Sequence, residues 1–390
     1  MSKKIKKVLF LQNKGNSLGG VWFVNKIIGE ELVKNNFDVE ILNIRNEENA
    51  KPLTHDPKLK VNTINKKDRW EITHRRDVLN SFQRLNFILG IKTFFVYLKD
   101  YIKLKKDFVN TKKYIQKIDP DYIVTTQYQL LDAIPKKYYN KTINEHHNSF
   151  ENALSNRSNI KKLKKYNDKI RFLWLCKNSL EAAKKYGFNN NYYIYNPIKF
   201  STNKIADVTE NKKLITISRL SSSQKRIDLM IAAVNKFLKK HPEWTLELYG
   251  DGQLDNKSLE IIKNNSKIKL MGRTDNVKET LLNSSIYLST SAYEGFSLSI
   301  LEANECGIPC IAYDYGESCS EQIINGETGY IVPFNKEQKF LNCIEMLVEK
   351  KELLKSMSKN SKEFAKQFSA KKVTKEWIKL FEIIDGDNND

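Results

Sequence analysis

Short apolar segments that each end at a glycine or a polar residue recur along the chain, and this pattern restricts the fold more than any other feature. Residues 8–11 form the first such segment and lead into a small-residue loop with Gly19 and Gly20. Apolar residues at helical spacing follow as far as Leu32, and residues 37–42 alternate as a strand does. Strand, glycine loop, helix and strand in this order predict the opening of a doubly wound α/β domain.

The same pattern starts again in the second half of the chain. Four apolar strand candidates there each stop at a loop with glycine or polar residues, namely 214–217, 246–249, 268–271 and 286–289. Such loops bind ligands beyond the carboxyl ends of open α/β sheets. Because 390 residues exceed one typical core, we predict two domains, with a boundary at Tyr195-Asn196-Pro197-Ile198.

The lengths of the apolar runs favour a protein without a membrane-spanning segment. Apolar residues make up 40% of the chain, but no run approaches the roughly 20 residues that span a bilayer. The basic start has only a short apolar run, which Gln12 interrupts, and this favours a first buried strand over a signal peptide. We therefore expect a cytoplasmic protein. The five cysteines do not complete a zinc set, and we interpret them as reduced thiols.

The net charge of +20 predicts affinity for polyanions, unless it is a compositional bias that merely solvates the surface. Lysines are densest at residues 92–117, within the amphipathic stretch 85–118. This stretch predicts contact with an anionic membrane or an anionic acceptor. The alternative is a core-packed helix with a solvated lysine face. No nucleic-acid-binding module is recognisable, so we do not expect nucleic acid as a partner.

A turn between a strand and a helix, within residues 289–312, indicates ligand chemistry. The strand turns at Glu294 and Gly295 into a helix expected at 296–306, which Gly307 ends. Backbone N–H groups at the start of a helix lack partners within it, and together with the helix dipole they bind phosphate. We expect three such free N–H groups here, those of Phe296, Ser297 and Leu298.

Two carboxylates flank this helix start. Glu294 precedes it and Glu302 lies within the helix. Carboxylates in these positions can accept hydrogen bonds from paired sugar hydroxyls beside a diphosphate. The alternative is that Gly295 is only a turn glycine and Glu302 a solvated helix residue.

This motif resembles the signature of retaining glycosyltransferases of family 4: Glu294-Gly295-Phe296-Ser297-Leu298 through Glu302-Ala303, then Gly307-Ile308-Pro309. The resemblance covers nearly the whole chain and is weak between about residues 45 and 120. It implies the α/β GT-B fold, in which two Rossmann-like doubly wound domains face a central cleft. The acceptor-binding domain would be 1–195 and the nucleotide-sugar domain 196–370. A helix within 371–390 would return to the N-terminal domain, before a short acidic tail.

The resemblance also implies roles for single residues. Arg219 and Lys225 would neutralise the diphosphate, Glu294 would hold sugar hydroxyls and Glu302 the ribose. Arg226 stands where the family usually has glycine, which leaves the backbone there in question. The remaining donor-binding residues implied are loop residues, namely Gly19, Gly20, Gly272, Arg273, Gly295, Phe296, Ser297 and Leu298.

A histidine near the end of the strand at 142–144 often faces the donor sugar in this family. His146 is the first choice and His147 the alternative. The implied catalytic set consists of His146, Glu294, Arg219 and Lys225.

The implied reaction moves a hexose or N-acetylhexosamine from a UDP-sugar, the co-substrate, to an anionic or lipid-linked cell-envelope glycan. Such an acceptor is compatible with a location at the inner face of the cell membrane. No Asp-x-Asp site adjoins the motif, so neither a metal nor another cofactor is expected. The alternative is a catalytically silent GT-B subunit or an acceptor-binding protein. Such proteins usually lose the donor residues, which are present here.

Overall fold

Two parallel sheets organise the chain. The computed structural model describes residues 5–15, 19–46, 55–66, 87–154 and 157–387. Contacts divide the chain into two compact units. Unit 1 contains Met1–Glu145, Lys162–Phe172 and Ile378–Asp390, and unit 2 contains His146–Lys161 and Leu173–Trp377. The sequence predicts domains of 1–195 and 196–370 with a returning helix within 371–390, and it does not reveal which later segments residues 146–161 contact.

The strands of the first sheet are β1 (Lys7–Gly15), β2 (Asp38–Asn46), β3 (Lys60–Asn65), β4 (Tyr122–Thr125), β5 (Thr142–His146), β6 (Arg171–Trp174) and β7 (Asn191–Tyr193). They lie in the order β3-β2-β1-β4-β5-β6-β7. The helices along this part of the chain are α1 (Gly20–Lys34), α2 (Phe87–Ile118), α3 (Phe150–Leu154), α4 (Arg157–Lys164) and α5 (Lys177–Lys185). The apolar run of β1 is fully buried from Val8 to Leu11, as expected for a parallel strand covered on both faces.

The strands of the second sheet are β8 (Lys213–Ile217), β9 (Thr245–Tyr249), β10 (Ile268–Gly272), β11 (Ile286–Ser289), β12 (Cys310–Tyr313) and β13 (Gly329–Val332). They lie in the order β10-β9-β8-β11-β12-β13, and all pairs are parallel. The helices are α6 (Ile227–Lys240), α7 (Asn256–Asn264), α8 (Val277–Leu282), α9 (Leu298–Glu305), α10 (Cys319–Gln322), α11 (Glu337–Glu349), α12 (Lys351–Ala365) and α13 (Ala370–Asp387).

The winding of the second sheet reverses next to β8. The chain first moves outward through β9 and β10, then returns to β11 on the other side of β8. Such a switch point leaves a crevice at the carboxyl ends of the two strands. Residues 218–226 follow β8 and residues 290–297 follow β11, so the predicted donor residues of both segments lie at this crevice.

The end of α13 packs within unit 1. The ring of Phe381 stacks on Tyr122 with ring centroids 4.2 Å apart. The Tyr122 hydroxyl donates to the Asp385 carboxylate at 2.8 Å. These contacts explain why Ile378–Asp390 belongs to unit 1.

The cysteines are free thiols, of which Cys176, Cys306, Cys310 and Cys319 are buried and Cys343 is partly buried. Burial raises the pKa of the Cys306 thiol to about 12. Among the residues that the structure describes, no three His, Cys, Asp or Glu side chains are grouped so that they could hold a metal ion.

Candidate functional site

The loops after β8 and β11 bring three of the predicted residues to the switch point. Arg219 is exposed directly beyond β8. Lys225 Nζ lies 2.5 Å from Glu294 Oε1, and the two side chains are only 16% and 11% exposed. A charge pair with so little solvent contact is held in place, because either partner alone would be a poorly solvated charge.

Gln224 connects these two loops and was not predicted from the sequence. Its side-chain carbonyl accepts a hydrogen bond from Arg219 Nη2 at 3.3 Å. Its amide Nε2 donates to the Tyr293 carbonyl at 3.2 Å, and its backbone carbonyl accepts from the Ala292 N–H at 2.8 Å. A glutamine in a polar loop carries no sequence pattern that reveals such contacts.

The loop after β9 touches the Arg219 loop through backbone atoms. Gly250 has φ +133°, and a Cβ there would lie 1.8 Å from the Ser218 carbonyl oxygen. Glycine is therefore required at this position. The Gly250 N–H in turn donates to the Gly272 carbonyl at 2.8 Å. Arg273 Nε contacts Asp251 at 2.7 Å with both side chains more than half exposed, and such a pair restrains Arg273 only weakly.

The backbone at Arg226, where the family usually has glycine, is left-handed. The residue adopts φ 48° and ψ 43°, the left-handed conformation that glycine favours. The Thr290 hydroxyl lies 2.9 Å from the carbonyls of both Lys225 and Arg226. The backbone thus keeps a glycine-like turn despite the larger side chain, whose guanidinium pairs with Asp228 at 3.0 Å.

The start of α9 differs from the prediction. The helix begins at Leu298, two residues later than expected, with Ser297 as its cap. The expectation that the Ser297 N–H is free is wrong, because this group donates to Gln322 Oε1 at 2.8 Å in a buried position. Gln322 Nε2 also donates to the Ser297 carbonyl. The ring of Phe296 is buried and stacks on Tyr195, with ring centroids 5.2 Å apart.

Glu302 is buried in α9, so the alternative of a solvated helix residue is wrong. Lys199 Nζ lies 2.9 Å from Glu302 Oε1, with the two side chains 28% and 3% exposed. Burial raises the pKa of the Glu302 carboxyl, and Lys199 offsets part of that rise. Lys199 was not predicted, since a lysine in a lysine-rich chain carries no distinguishing signal.

His146 ends β5 and is buried. Its ring stacks on Trp174 at 22° with ring centroids 4.5 Å apart. Burial, with a smaller contribution from His147, lowers the pKa of His146 to about 3. The imidazole is therefore neutral at physiological pH.

His147 contacts the glutamate turn through its backbone. A Cβ on Gly295 would lie 1.9 Å from the His147 carbonyl oxygen and 3.1 Å from the Asn148 Cα. Only glycine lets the two loops approach this closely. Gly295 is thus more than a turn residue, because it fixes the distance between the histidine loop and Glu294.

Two carboxylates of unit 2 bind the starts of two helices, one in the segment after the histidines and one after β6. Glu317 accepts hydrogen bonds from the N–H groups of Phe150 and Glu151 at 2.9 and 3.1 Å. Glu321 accepts from Lys177 and Asn178 at 2.9 and 2.7 Å. Each carboxylate thereby caps the start of a helix, α3 or α5, where unpaired N–H groups and the helix dipole favour negative charge.

A cavity of about 520 Å³ adjoins the turn. Tyr293, Phe334, Glu151 and Asp314 are among its lining residues. Its volume falls in the range of small-molecule sites, about 300–1,000 Å³.

Gly19 and Gly20 lie in unit 1, where they are exposed at the start of α1. Residues 16–18 of the predicted glycine loop lie outside the described residues. The roles of these glycines, and which of the two histidines faces a donor sugar, stay predictions.

Comparisons with known proteins agree with this geometry. Residues 198–364 match the family model "Glycosyl transferases group 1". Over 389 residues the chain is 27% identical to an uncharacterized glycosyltransferase of Haemophilus influenzae, a match that covers 96% of this chain and 99% of that protein. It is 28% identical over 172 residues to the poly(glycerol-phosphate) alpha-glucosyltransferase of Bacillus subtilis, which covers 43% of this chain and 25% of that protein. The chain spans 18% to 49% of the length of six further curated relatives.

Among solved structures, a TarM variant of S. aureus in complex with fondaparinux, alpha-GlcNAc-glycerol and UDP has a TM-score of 0.73. The two proteins are 15% identical, and the match covers 97% of this chain and 100% of that chain. The likeness confirms the GT-B fold with its two Rossmann-like, parallel-sheet domains.

Proposed function

Because residues 198–364 of the chain match the family model of the group 1 glycosyltransferases, we propose that the protein is a retaining glycosyltransferase of family 4. It moves a hexose or an N-acetylhexosamine from a UDP-sugar to a cell-envelope acceptor, which is a polysaccharide, a teichoic-acid-like polymer or a lipid-linked precursor. The observation that carries this proposal is the buried contact of Lys225 with Glu294, beside the exposed Arg219. Two cations and a carboxylate at a switch point suit a diphosphate that is linked to a sugar.

Each group has a distinct task in the proposed reaction. Lys225 has three N–H donors, so it can keep Glu294 and still donate to a phosphate oxygen. Glu294 accepts hydrogen bonds from the hydroxyls of the sugar, and Glu302 accepts them from the hydroxyls of the ribose. As the bond from the anomeric carbon to the diphosphate breaks, Arg219 and Lys225 stabilise the charge on the leaving oxygen. The acceptor oxygen bonds to that carbon on the same face, and its proton passes to the departing diphosphate.

The relatives support the donor and acceptor classes. The TarM structure was solved with UDP. The Bacillus subtilis relative is named for a poly(glycerol-phosphate) acceptor and an alpha-linked glucose. A net charge of +20 complements such a phosphate-bearing polymer.

The test is UDP release from a panel of UDP-hexoses and UDP-N-acetylhexosamines, with and without poly(glycerol phosphate), polysaccharide or lipid-linked acceptors. We expect one donor to release UDP only with an acceptor, and NMR of the product to show an α-linkage. Glu294→Gln and Arg219→Ala should each lower the rate by about 10²–10³, whereas the exposed Glu279→Gln should not. If Glu294→Gln transfers at the wild-type rate, the site is wrongly assigned. If UDP-sugar binds but no acceptor releases UDP, the chain is a silent GT-B subunit.

We also propose that transfer needs no metal ion, because Arg219 and Lys225 already supply the positive charge at the diphosphate. EDTA should leave the rate unchanged. Loss of transfer in EDTA and its recovery with Mn²⁺ would show that a metal is required.

A further inference from the structure

The first half of α2 exposes a row of large apolar side chains. Six of them are between 40% and 63% exposed: Phe87, Ile91, Phe94, Phe95, Leu98 and Ile102. At about 100° per residue they fall within an arc of roughly 100° on the helix. We call these six residues the apolar stripe. Scattered apolar residues are normal on a protein surface, but a continuous stripe of this size marks a contact site.

Lysines follow one edge of this stripe. Lys92, Lys99, Lys106 and Lys113 are each seven residues apart and all exposed, so they form a line along the helix, the basic row. The two acidic residues of α2, Asp100 and Asp107, are buried. The exposed charge of the helix is therefore entirely positive.

The second half of α2 is anchored in unit 1. Phe108 and Ile115 are buried. The Tyr114 hydroxyl donates to Glu40 of β2 at 2.6 Å, and Asp107 accepts from Asn65 of β3 at 3.2 Å. The sequence alternative of a core-packed helix thus holds for residues 107–118, and it is wrong for the apolar stripe.

We propose that the apolar stripe and the basic row dock the protein on an anionic lipid bilayer. Among the described residues no helix is long and apolar enough to cross a membrane, so α2 would lie along the surface. The stripe is about 22 Å long at 1.5 Å per residue. Its aromatic rings suit the interface between headgroups and acyl chains, and the lysines reach the lipid phosphates. A second copy of the chain is a poorer partner, since it would set one basic row against another.

The experiment measures sedimentation of the full chain with phosphatidylcholine vesicles, with or without phosphatidylglycerol. One variant, Phe94→Ser with Phe95→Ser, removes the two aromatic residues in the middle of the stripe. A second, Lys92→Glu with Lys99→Glu and Lys106→Glu, reverses the row. Exposed lysines of unit 2 provide a control with the same change of net charge: Lys257→Glu, Lys263→Glu and Lys267→Glu.

We expect the wild type to bind anionic vesicles at least tenfold better than neutral ones. Because each surface lysine contributes roughly fivefold to binding, the row variant should lose about 100-fold or more, and the control less than threefold. The serine variant should lose at least tenfold on anionic vesicles. UDP release with a soluble acceptor should be unchanged in all three variants, which separates this proposal from the proposed function.

Three results would overturn the proposal. Equal losses in the row variant and the control would indicate unspecific charge attraction. Full binding by the serine variant would show that the stripe does not enter the bilayer. A wild-type dimer in ultracentrifugation that becomes monomeric in the serine variant would identify the stripe as an interface between copies. Circular dichroism should show all variants folded, because every substituted side chain is exposed.

Discussion

Replacing Lys199 by methionine should make the stability of the protein depend strongly on pH. The substitution removes the ammonium that lies 2.9 Å from Glu302 Oε1. Burial already raises the pKa of this carboxyl, and without Lys199 the pKa rises further. A carboxyl with a higher pKa in the folded chain makes the folded state bind more protons than the unfolded state. Stability therefore falls as the pH rises from the unfolded pKa, about 4.3, to the folded pKa.

The size of the effect follows from the distance and the burial of the pair. Unit charges 2.9 Å apart attract by about 6 kcal/mol at an effective dielectric constant of about 20. The cost of desolvation cancels part of this attraction, and Lys199 is 28% exposed. Breaking a buried pair on one side costs about 3–5 kcal/mol, and we expect the lower end, about 3 kcal/mol, at pH 8. At pH 5 the carboxyl can take up a proton, and the loss should be about 1 kcal/mol.

Urea unfolding followed by tryptophan fluorescence at pH 5 and pH 8 measures this difference. The control is Lys199→Met combined with Glu302→Gln, which leaves no charge to bury and should show no extra pH dependence. A loss for Lys199→Met that is equal at both pH values would refute the reasoning. So would a double variant that is no more stable at pH 8 than Lys199→Met.

Three further predictions rest on single positions. Gly295→Ala places a Cβ 1.9 Å from the His147 carbonyl oxygen; because displacements of about 1 Å cost about 10² in rate, UDP release should fall about 100-fold, and a fully active variant would contradict this. Arg226→Gly relieves a left-handed φ of 48° and should raise the free energy of unfolding, measured by urea titration, by about 1 kcal/mol. A lower free energy of unfolding would contradict this and would show that the lost contact with Asp228 outweighs the relieved strain. His146, with a pKa of about 3, should cost the wild type about 2 kcal/mol of stability between pH 7 and pH 5, since the unfolded histidine takes up a proton below about 6.5. His146→Phe should lack this loss in the same titration, and equal slopes would refute the assignment.

The sequence was sufficient for the architecture because strand-end glycines and apolar runs are local signals. The GT-B fold and the resemblance to group 1 glycosyltransferases are both confirmed. Gly250 was recognisable as a glycine that ends a strand, and the structure adds that it touches Ser218. The donor roles of Arg219 and Lys225 stay predictions, and the structure adds that Lys225 contacts Glu294.

The missed features are contacts between residues distant in sequence. Lys199 lies 103 positions before Glu302 (302 − 199 = 103), and a lysine has no periodicity that would mark its partner. The Ser297 N–H donates to the Gln322 side chain. The helix start, which the sequence predicts to bind phosphate, therefore has one N–H donor fewer. The apolar spacing of α2 was visible, but it fits a buried face as well as an exposed one, and only the accessible surface distinguishes them.

The carboxylate of Glu317, bound to the Phe150 N–H 167 residues earlier in the chain, also has a consequence for synthesis. At about 5–20 residues per second, a ribosome needs roughly 8 to 33 s to travel between these two positions. During that interval the start of α3 lacks the Glu317 carboxylate that caps it, so the segment after the histidines cannot complete its folding. The first half of the protein is therefore incomplete as a folding unit when it emerges, and a nascent chain arrested before Glu317 should leave residues 147–154 open to proteolysis.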